Sequence, residues 1–237
     1  MSNESLFAQI SLTDWNHDIV RNITAEREDQ DLFDDLTDNP SDSKIAEKLE
    51  KLTKIEKDNS KKLVIDQPFN DAKWTNAIFW PFNHWQTSRF SDGSFGVWYG
   101  SESIETTVFE TTYHWHTGLL RDAGFENEIV VAERKVYFVT CKAALLDLRK
   151  KVHSHPNLVH QTDYTDCQAI GKRMHHEGHP GLITKSARRP EGENIVIFNP
   201  IVLSNPQYRC DLTYRLEKGH IAIEKEIGIS WLTVNCT

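Results

Sequence analysis

Residues 84–117 read HWQTSRFSDGSFGVWYGSESIETTVFETTYHWHT. The stretch begins polar, turns through Ser91-Asp92-Gly93, and enters the aromatic run Phe95-Gly96-Val97-Trp98-Tyr99. Asp-Gly is turn chemistry, because glycine takes positive φ without steric cost, and the β-branched and aromatic run after it reads as a short strand. From residue 102 the period changes. Ile104, Val108, Trp115 and Leu119 fall on one stripe at helical spacing, so residues 102–121 read as a helix.

The same reading extends downstream. Residues 128–132 and 135–141 read as strands. Residues 163–176 read as a helix begun by Thr162 or Asp163, with Tyr164, Cys167, Ile170 and Met174 apolar. Shorter strands follow at 181–184, 194–199, 208–214, 220–225 and 228–234. Strands outnumber helices and no regular βαβ alternation appears, which favours an α+β domain over a doubly wound sheet. Upstream, residues 12–24 read as a helix that Thr13 can cap, with Leu12, Trp15, Ile19, Val20 and Ile23 on one face. Residues 43–57 read as an amphipathic surface helix on Ile45, Leu49, Leu52 and Ile55, and 58–73 as a connector. The expected division is an acidic helical extension with its connector at 1–73 and a strand-rich domain at 74–237.

Charge separates these regions. Residues 1–60 hold 15 acidic and 7 basic residues, while the remaining residues hold 20 of each. With an isoelectric point near 5.8 and no basic tract, the chain lacks the footprint of a nucleic-acid binder. No run approaches 18 apolar residues, and the start MSNESLFAQISLTDW has no basic segment ahead of a long apolar one. The expectation is a cytoplasmic protein with neither membrane span nor secretory signal. Cys141, Cys167, Cys210 and Cys236 form no CxxC pair, which fits free thiols better than a zinc site or a disulfide framework.

Two constellations can carry chemistry. On the helix at 102–121, Thr106, Glu110, Tyr113, His114 and Thr117 share a face beside the apolar stripe. A carboxylate, a phenol and an imidazole at the edge of a core are costly if structural and sensible if they border a pocket. An ordinary Glu110–His114 surface pair is the alternative. The second constellation is Gly181 to Asn194, a strand, a polar loop with Ser186, Arg188 and Arg189, and another strand. Amides, a hydroxyl and guanidinium groups can hold phosphate oxygens, and a surface hairpin is the alternative. The loop is neither GxGxxG nor a Walker loop, and no GxSxG elbow occurs. His114 and His116 point different ways on a helix and HExxH is absent, so no metal is expected.

Ser88-Arg89-Phe90-Ser91-Asp92-Gly93, then Gly96-Val97-Trp98-Tyr99, then Glu105-Thr106-Thr107 through Glu110 to Tyr113-His114, closely resembles the RES-domain family, the toxins of RES–Xre toxin–antitoxin pairs. Further blocks fit in order over residues 31–225: the acidic-hydrophobic segment at 31–36, Phe82-Asn83-His84, the strand from Arg134, Asp147-Leu148-Arg149, Gln168-Ala169-Ile170-Gly171, Ser186-Ala187-Arg188, and Asn194 to Pro200. The family's Tyr-Pro before the serine is Thr184-Lys185 here, and its Gly-Gly is replaced around Glu191-Gly192-Glu193.

The resemblance implies an ADP-ribosyltransferase-like mixed or antiparallel sheet that takes NAD as substrate and cleaves its nicotinamide–ribose bond. Water or inorganic phosphate is the acceptor, as in an NAD glycohydrolase or NAD phosphorylase. Arg89, Glu110 and Ser186 are the implied catalytic residues. Tyr99, His84 and Arg188 join Arg89 in holding the dinucleotide. An Xre-type antitoxin is the implied partner, and an oligomer is possible. Transfer of ADP-ribose to a macromolecule and a catalytically silent partner-binding domain are the alternatives. The chemistry is coherent. Nicotinamide leaves NAD as a neutral base, so no general acid is needed, and positive charge grows on the ribose as in glycoside cleavage. A fixed carboxylate stabilises that charge, and arginine grips the pyrophosphate.

Overall fold

The structure is a computed structural model that describes residues 6–7, 10–25, 75–121, 124 and 128–236. The chain divides into two compact units, Met1–Thr24 with Lys73–Thr237, and Ala25–Ala72. The segment at 31–36, the helix expected over 43–57 and the connector at 58–73 lie outside the described residues.

In chain order come β1 (Ser11–Thr24), a π-helical turn (Thr75–Phe79), α1 (Trp80–Asn83), β2 (Thr87–Ser88), β3 (Ser91–Asp92), β4 (Trp98–Ser101) and α2 (Ile104–Trp115). A π-helical turn (His116–Leu120) continues α2. Then follow β5 (Val130–Asp147), two 3-10 turns (Arg149–His153 and Pro156–Val159), α3 (Thr165–His176), β6 (Gly181–Lys185) and β7 (Glu193–Ile197). A 3-10 turn (Pro200–Val202) leads into β8 (Leu203–Glu217), β9 (His220–Glu226) and β10 (Ile229–Asn235).

The expected helix at 12–24 is instead β1, antiparallel to β5 in unbroken register from Ser11↔Asp147 to Thr24↔Arg134. Ile19, Val20 and Ile23 are β-branched, and Asn16, His17, Asp18 and Asn22 are weak helix formers, so the local preference opposes a helix. The apolar positions that mimic a helical stripe serve two strand faces. Ile19 joins the cluster of Ala77, Ile78 and Trp98, whereas Val20 joins that of Val108, Trp115 and Leu120. Thr13 caps no helix, and its Oγ1 donates to Asp147 Oδ2 at 3.1 Å.

The main sheet has the order β1-β4-β7-β6-β5-β8-β9-β10, with β1 also paired to β5. Strands β1, β4, β7, β6 and β5 therefore close on themselves, while β8, β9 and β10 extend outward from β5. The length of β5 makes this possible, because Val130–Cys141 pairs with β8 and Leu146 and Asp147 pair with β6. Only the β5–β6 ladder is parallel among the described pairings. This is the expected α+β architecture, a large and mostly antiparallel sheet with few helices.

β5 is one strand where the sequence reads as two. The break in the apolar pattern at Glu133-Arg134 is absorbed across the sheet. Thr213 Oγ1 donates to Glu133 Oε2 at 3.1 Å, and Arg134 Nε donates to Asn22 Oδ1 at 2.6 Å. The short strand expected at 95–99 begins three residues later, at Trp98. Its lead, Phe95 to Val97, is buried, and the Trp98 indole is fully enclosed with Nε1 donating to Ala77 O at 2.8 Å.

Two helices frame the site. Ser103 caps α2 by accepting the Thr106 N–H at 3.2 Å, a contact worth about 1 kcal/mol. Val108 and Trp115 then pack α2 against Val20, Val136 and Tyr214. Helix α3 buries Cys167, Ile170 and Met174 against Phe90, Leu148 and Leu182. It also comes unusually close to the β2–β3 hairpin. A Cβ at Gly171 would lie 1.9 Å from Phe90 O, so only glycine fits there. That contact fixes the turn carrying Arg89.

Candidate active site

A cleft of about 790 Å³ opens between β1, β4, α2 and the β2–β3 hairpin. Glu110, Tyr113 and His114 line it from α2, Tyr99 from β4 and Arg89 from the hairpin turn. Of the helical face singled out by spacing, Glu110, Tyr113, His114 and Thr117 line this cleft, whereas Thr106 is buried and bonded to Glu102 and Arg189 instead. Glu110 is the one carboxylate among the described lining residues, which also include Arg21, Arg89 and Arg121.

Glu110 is held rigidly. Ser186 Oγ and Asn194 Nδ2 each donate to its Oε1 at 2.6 Å. Hydrogen bonds to a carboxylate oxygen are short and strong, so the pair fixes the group in one orientation. Oε2 receives no hydrogen bond among the described residues. Ser186 is buried and lies outside the cleft lining. Its contact with the cleft is through Glu110, and its Oγ also accepts the N–H groups of Arg188 and Arg189 at 3.1 and 3.0 Å.

The loop around Ser186 is closed upon itself. Ser186 N donates to Gly192 O, and Gly192 N to Arg189 O, both at 2.9 Å. A Cβ at Gly192 would meet Thr106 Oγ1 at 2.7 Å, so the absent side chain lets the loop touch α2. Arg189 locks the contact by donating to Ser103 and Thr106 hydroxyls, each at 3.0 Å. The departures from the family pattern sit in this frame without opening it. Thr184 is buried in β6 and lines the cleft, and Lys185 pairs with Glu193 at 3.0 Å.

Tyr99 organises the opposite wall. Its hydroxyl accepts the Phe90 N–H at 2.8 Å and shares a 2.9 Å hydrogen bond with Ser88 Oγ. Burial pushes the phenol above its ordinary range. Tyr99 therefore holds the turn that presents Arg89. Arg89 Nη1 donates to His160 O at 2.8 Å, and its guanidinium stands 4.4 Å from the Tyr164 ring centre. His114 is held below the ordinary histidine range, first by loss of hydration and then by Arg188 and Arg89, with Glu110 opposing.

Two residues expected to hold a dinucleotide do not line this cleft. His84 is exposed and stacked on Trp80, with centroids 3.6 Å apart. Arg188 lines a smaller neighbouring cavity. In exchange, β1 supplies Arg21 and Asn22, which a helical reading of 12–24 could not bring here. Arg21 Nη1 donates to Tyr99 O at 2.6 Å, and its Nε is buried without a hydrogen-bond partner. Burial, then the charge of Arg134, lowers Arg21 to about 10, so it stays a cation at neutral pH. Asn22 Nδ2 donates to Tyr214 OH at 3.0 Å and Thr107 Oγ1 at 3.2 Å. Asn194 is the other residue whose role spacing did not reveal. In the sequence it marks only the end of the loop segment after Gly181 and the start of the block at 194–200; its place opposite Thr184 on paired strands β6 and β7 accompanies its contact with Glu110. No group of three or more candidate metal ligands occurs among the described residues, and none of their helices is long and apolar enough to cross a membrane.

The comparisons with known proteins bear on this geometry. The RES-domain family model matches residues 66–217, which include Arg89, Tyr99, Glu110 and Ser186 but neither β1 nor β10. No curated protein matches the chain. Among solved structures, a chain of the M. tuberculosis MbcT–MbcA toxin–antitoxin complex is similar at 12% identity and a TM-score of 0.46, over 89% of this chain and 90% of that one. With the family model covering well over half of its length, the chain belongs to the RES-domain family.

Proposed function

We propose that this protein is an NAD-degrading toxin whose cleft breaks the bond between nicotinamide and ribose, with water or inorganic phosphate as the acceptor. The observation that carries the reading is Glu110, fixed by two short hydrogen bonds at the wall of a cleft otherwise rich in arginine. As the C1′–N bond breaks, its electron pair stays with nicotinamide, which leaves neutral, and positive charge develops on the ribose. A carboxylate already in position stabilises that charge without reorganising, and so favours the transition state over bound substrate. Its second oxygen can orient the incoming acceptor. Water attack yields ADP-ribose and a released proton; phosphate attack yields ADP-ribose phosphate.

The other residues follow from charge and geometry. The unpaired Arg21 Nε is a buried donor in need of an acceptor, and a pyrophosphate oxygen supplies one. Arg89 offers a second cation from the facing hairpin. Ser186 and Asn194 are positioning residues that act through Glu110. An Xre-type antitoxin that covers the cleft completes the reading, consistent with membership in the family.

The test is incubation of purified, partner-free protein with NAD, with and without inorganic phosphate, followed by chromatography of the products. Nicotinamide release with ADP-ribose or ADP-ribose phosphate is the expected result. Intact NAD in both buffers, from folded protein, would overturn the reading and favour macromolecular transfer or binding alone.

A further inference from the structure

The cleft runs along α2 and the turn that continues it. Glu110, His114, Thr117 and Arg121 recur at spacings of four, three and four, and all of them line the cleft. Positions so spaced share one helical face. From Glu110 to Arg121 that face spans about three turns, or about 16 Å along the axis. A ligand with its reacting sugar at Glu110 and its length along this face has its far end at Arg121.

Arg121 closes the π-helical turn, its N–H donating to His116 O at 3.0 Å. Its side chain is exposed and pairs with no carboxylate among the described residues. The other two arginines of the cleft are held from different walls, Arg21 by Tyr99 O and Arg89 by His160 O. The charges of NAD use these two and no more. Its cationic ring faces Glu110, and its two pyrophosphate charges meet Arg21 and Arg89. His114 adds no cation at neutral pH, since loss of hydration holds it below the ordinary histidine range. Arg121 is left facing the cleft with no charge of NAD to meet.

We propose that the cleft takes the phosphorylated dinucleotide NADP in preference to NAD, with Arg121 holding the phosphate on the adenosine ribose. The assignment rests on the cleavage reaction proposed above and extends its substrate class. A guanidinium grips a phosphate through two parallel hydrogen bonds, and an arginine accommodates this 2′-phosphate in other dinucleotide-binding folds. The chemistry at Glu110 is the same for both substrates. The C1′–N bond breaks, nicotinamide leaves with the electron pair, and an oxygen of water or phosphate bonds to C1′. Water attack releases one proton, and the 2′-phosphate stays on the product.

The test follows nicotinamide release from NAD and from NADP by the full chain at constant ionic strength. NADP should show a kcat/KM about tenfold higher, the worth of one charged hydrogen bond. Arg121→Met should bring the NADP-to-NAD ratio close to one. Arg121→Lys keeps the charge but loses the planar grip, and should retain part of the preference. Calorimetric titration of both dinucleotides into Glu110→Gln reads the same contact without turnover. There NADP should bind about tenfold more tightly, and adding Arg121→Met should abolish the difference. Release of nicotinamide from NAD with no preference for NADP, or a preference unmoved by Arg121→Met, would overturn the proposal and leave NAD cleavage standing. Intact dinucleotides in both assays, with an Arg121-dependent preference for NADP in the titration, would overturn cleavage and leave the phosphate contact. Equal affinities, or no binding of either dinucleotide, would overturn the contact itself.

Discussion

The cleft and the smaller cavity share Tyr113 and Thr117 yet differ in charge. Among the described lining residues, three arginines share the cleft with a single fixed carboxylate, while Arg188 stands in the smaller cavity without one. A ligand that suits the cleft must itself carry both signs. NAD does, with a cationic nicotinamide ring and an anionic pyrophosphate. Both cavities also contain an arginine whose buried Nε is unpaired, Arg21 in one and Arg188 in the other. What separates them is Glu110 and the two donors that hold it.

If that carboxylate is the decisive difference, its loss should produce the largest effect. Glu110→Gln should lower the rate of nicotinamide release by about 10²–10³-fold with an unchanged melting temperature. An equal rate in the folded variant would erase the distinction between the cavities. Arg21→Met is next. Losing a charged hydrogen bond to pyrophosphate should raise KM for NAD about 10- to 100-fold, and steady-state kinetics would expose an unchanged KM. A smaller loss is expected from Asn194→Ala, which leaves Glu110 with one donor. A kcat about tenfold lower with little change in KM would mark it as a positioning residue, whereas a matching rise in KM would mean direct substrate contact. His84→Ala should leave both constants within about twofold, because its ring stacks on Trp80 outside the cleft. A large drop in turnover would return His84 to the site.

Sequence spacing located one wall of the cleft better than the other. The helical face with Glu110, Tyr113 and His114 is a local pattern, since neighbours three and four residues apart meet on any helix. Ser186 and Arg188 likewise sit in a recognisable strand–loop–strand. By contrast, Arg21 and Asn22 enter through β1, whose pairing with β5 spans more than a hundred residues. Nothing in Asp18-Ile19-Val20-Arg21-Asn22-Ile23 reveals that partner. Its apolar positions satisfy a helical stripe and two strand faces equally well, and only the ladder decides. Arg188 gives the complementary lesson. Its place in a phosphate-compatible loop was readable, but the side chain turns onto Tyr113 and into a cavity walled by β10. Spacing carries no information about that last rotation.

The most direct test of the cleft's role is a crystal structure of the Glu110→Gln variant with NAD, which removes turnover while keeping the site. The account predicts NAD in the cleft, its ribose C1′ beside position 110 and its pyrophosphate against Arg21. NAD bound elsewhere, or an empty cleft at saturating NAD, would contradict it.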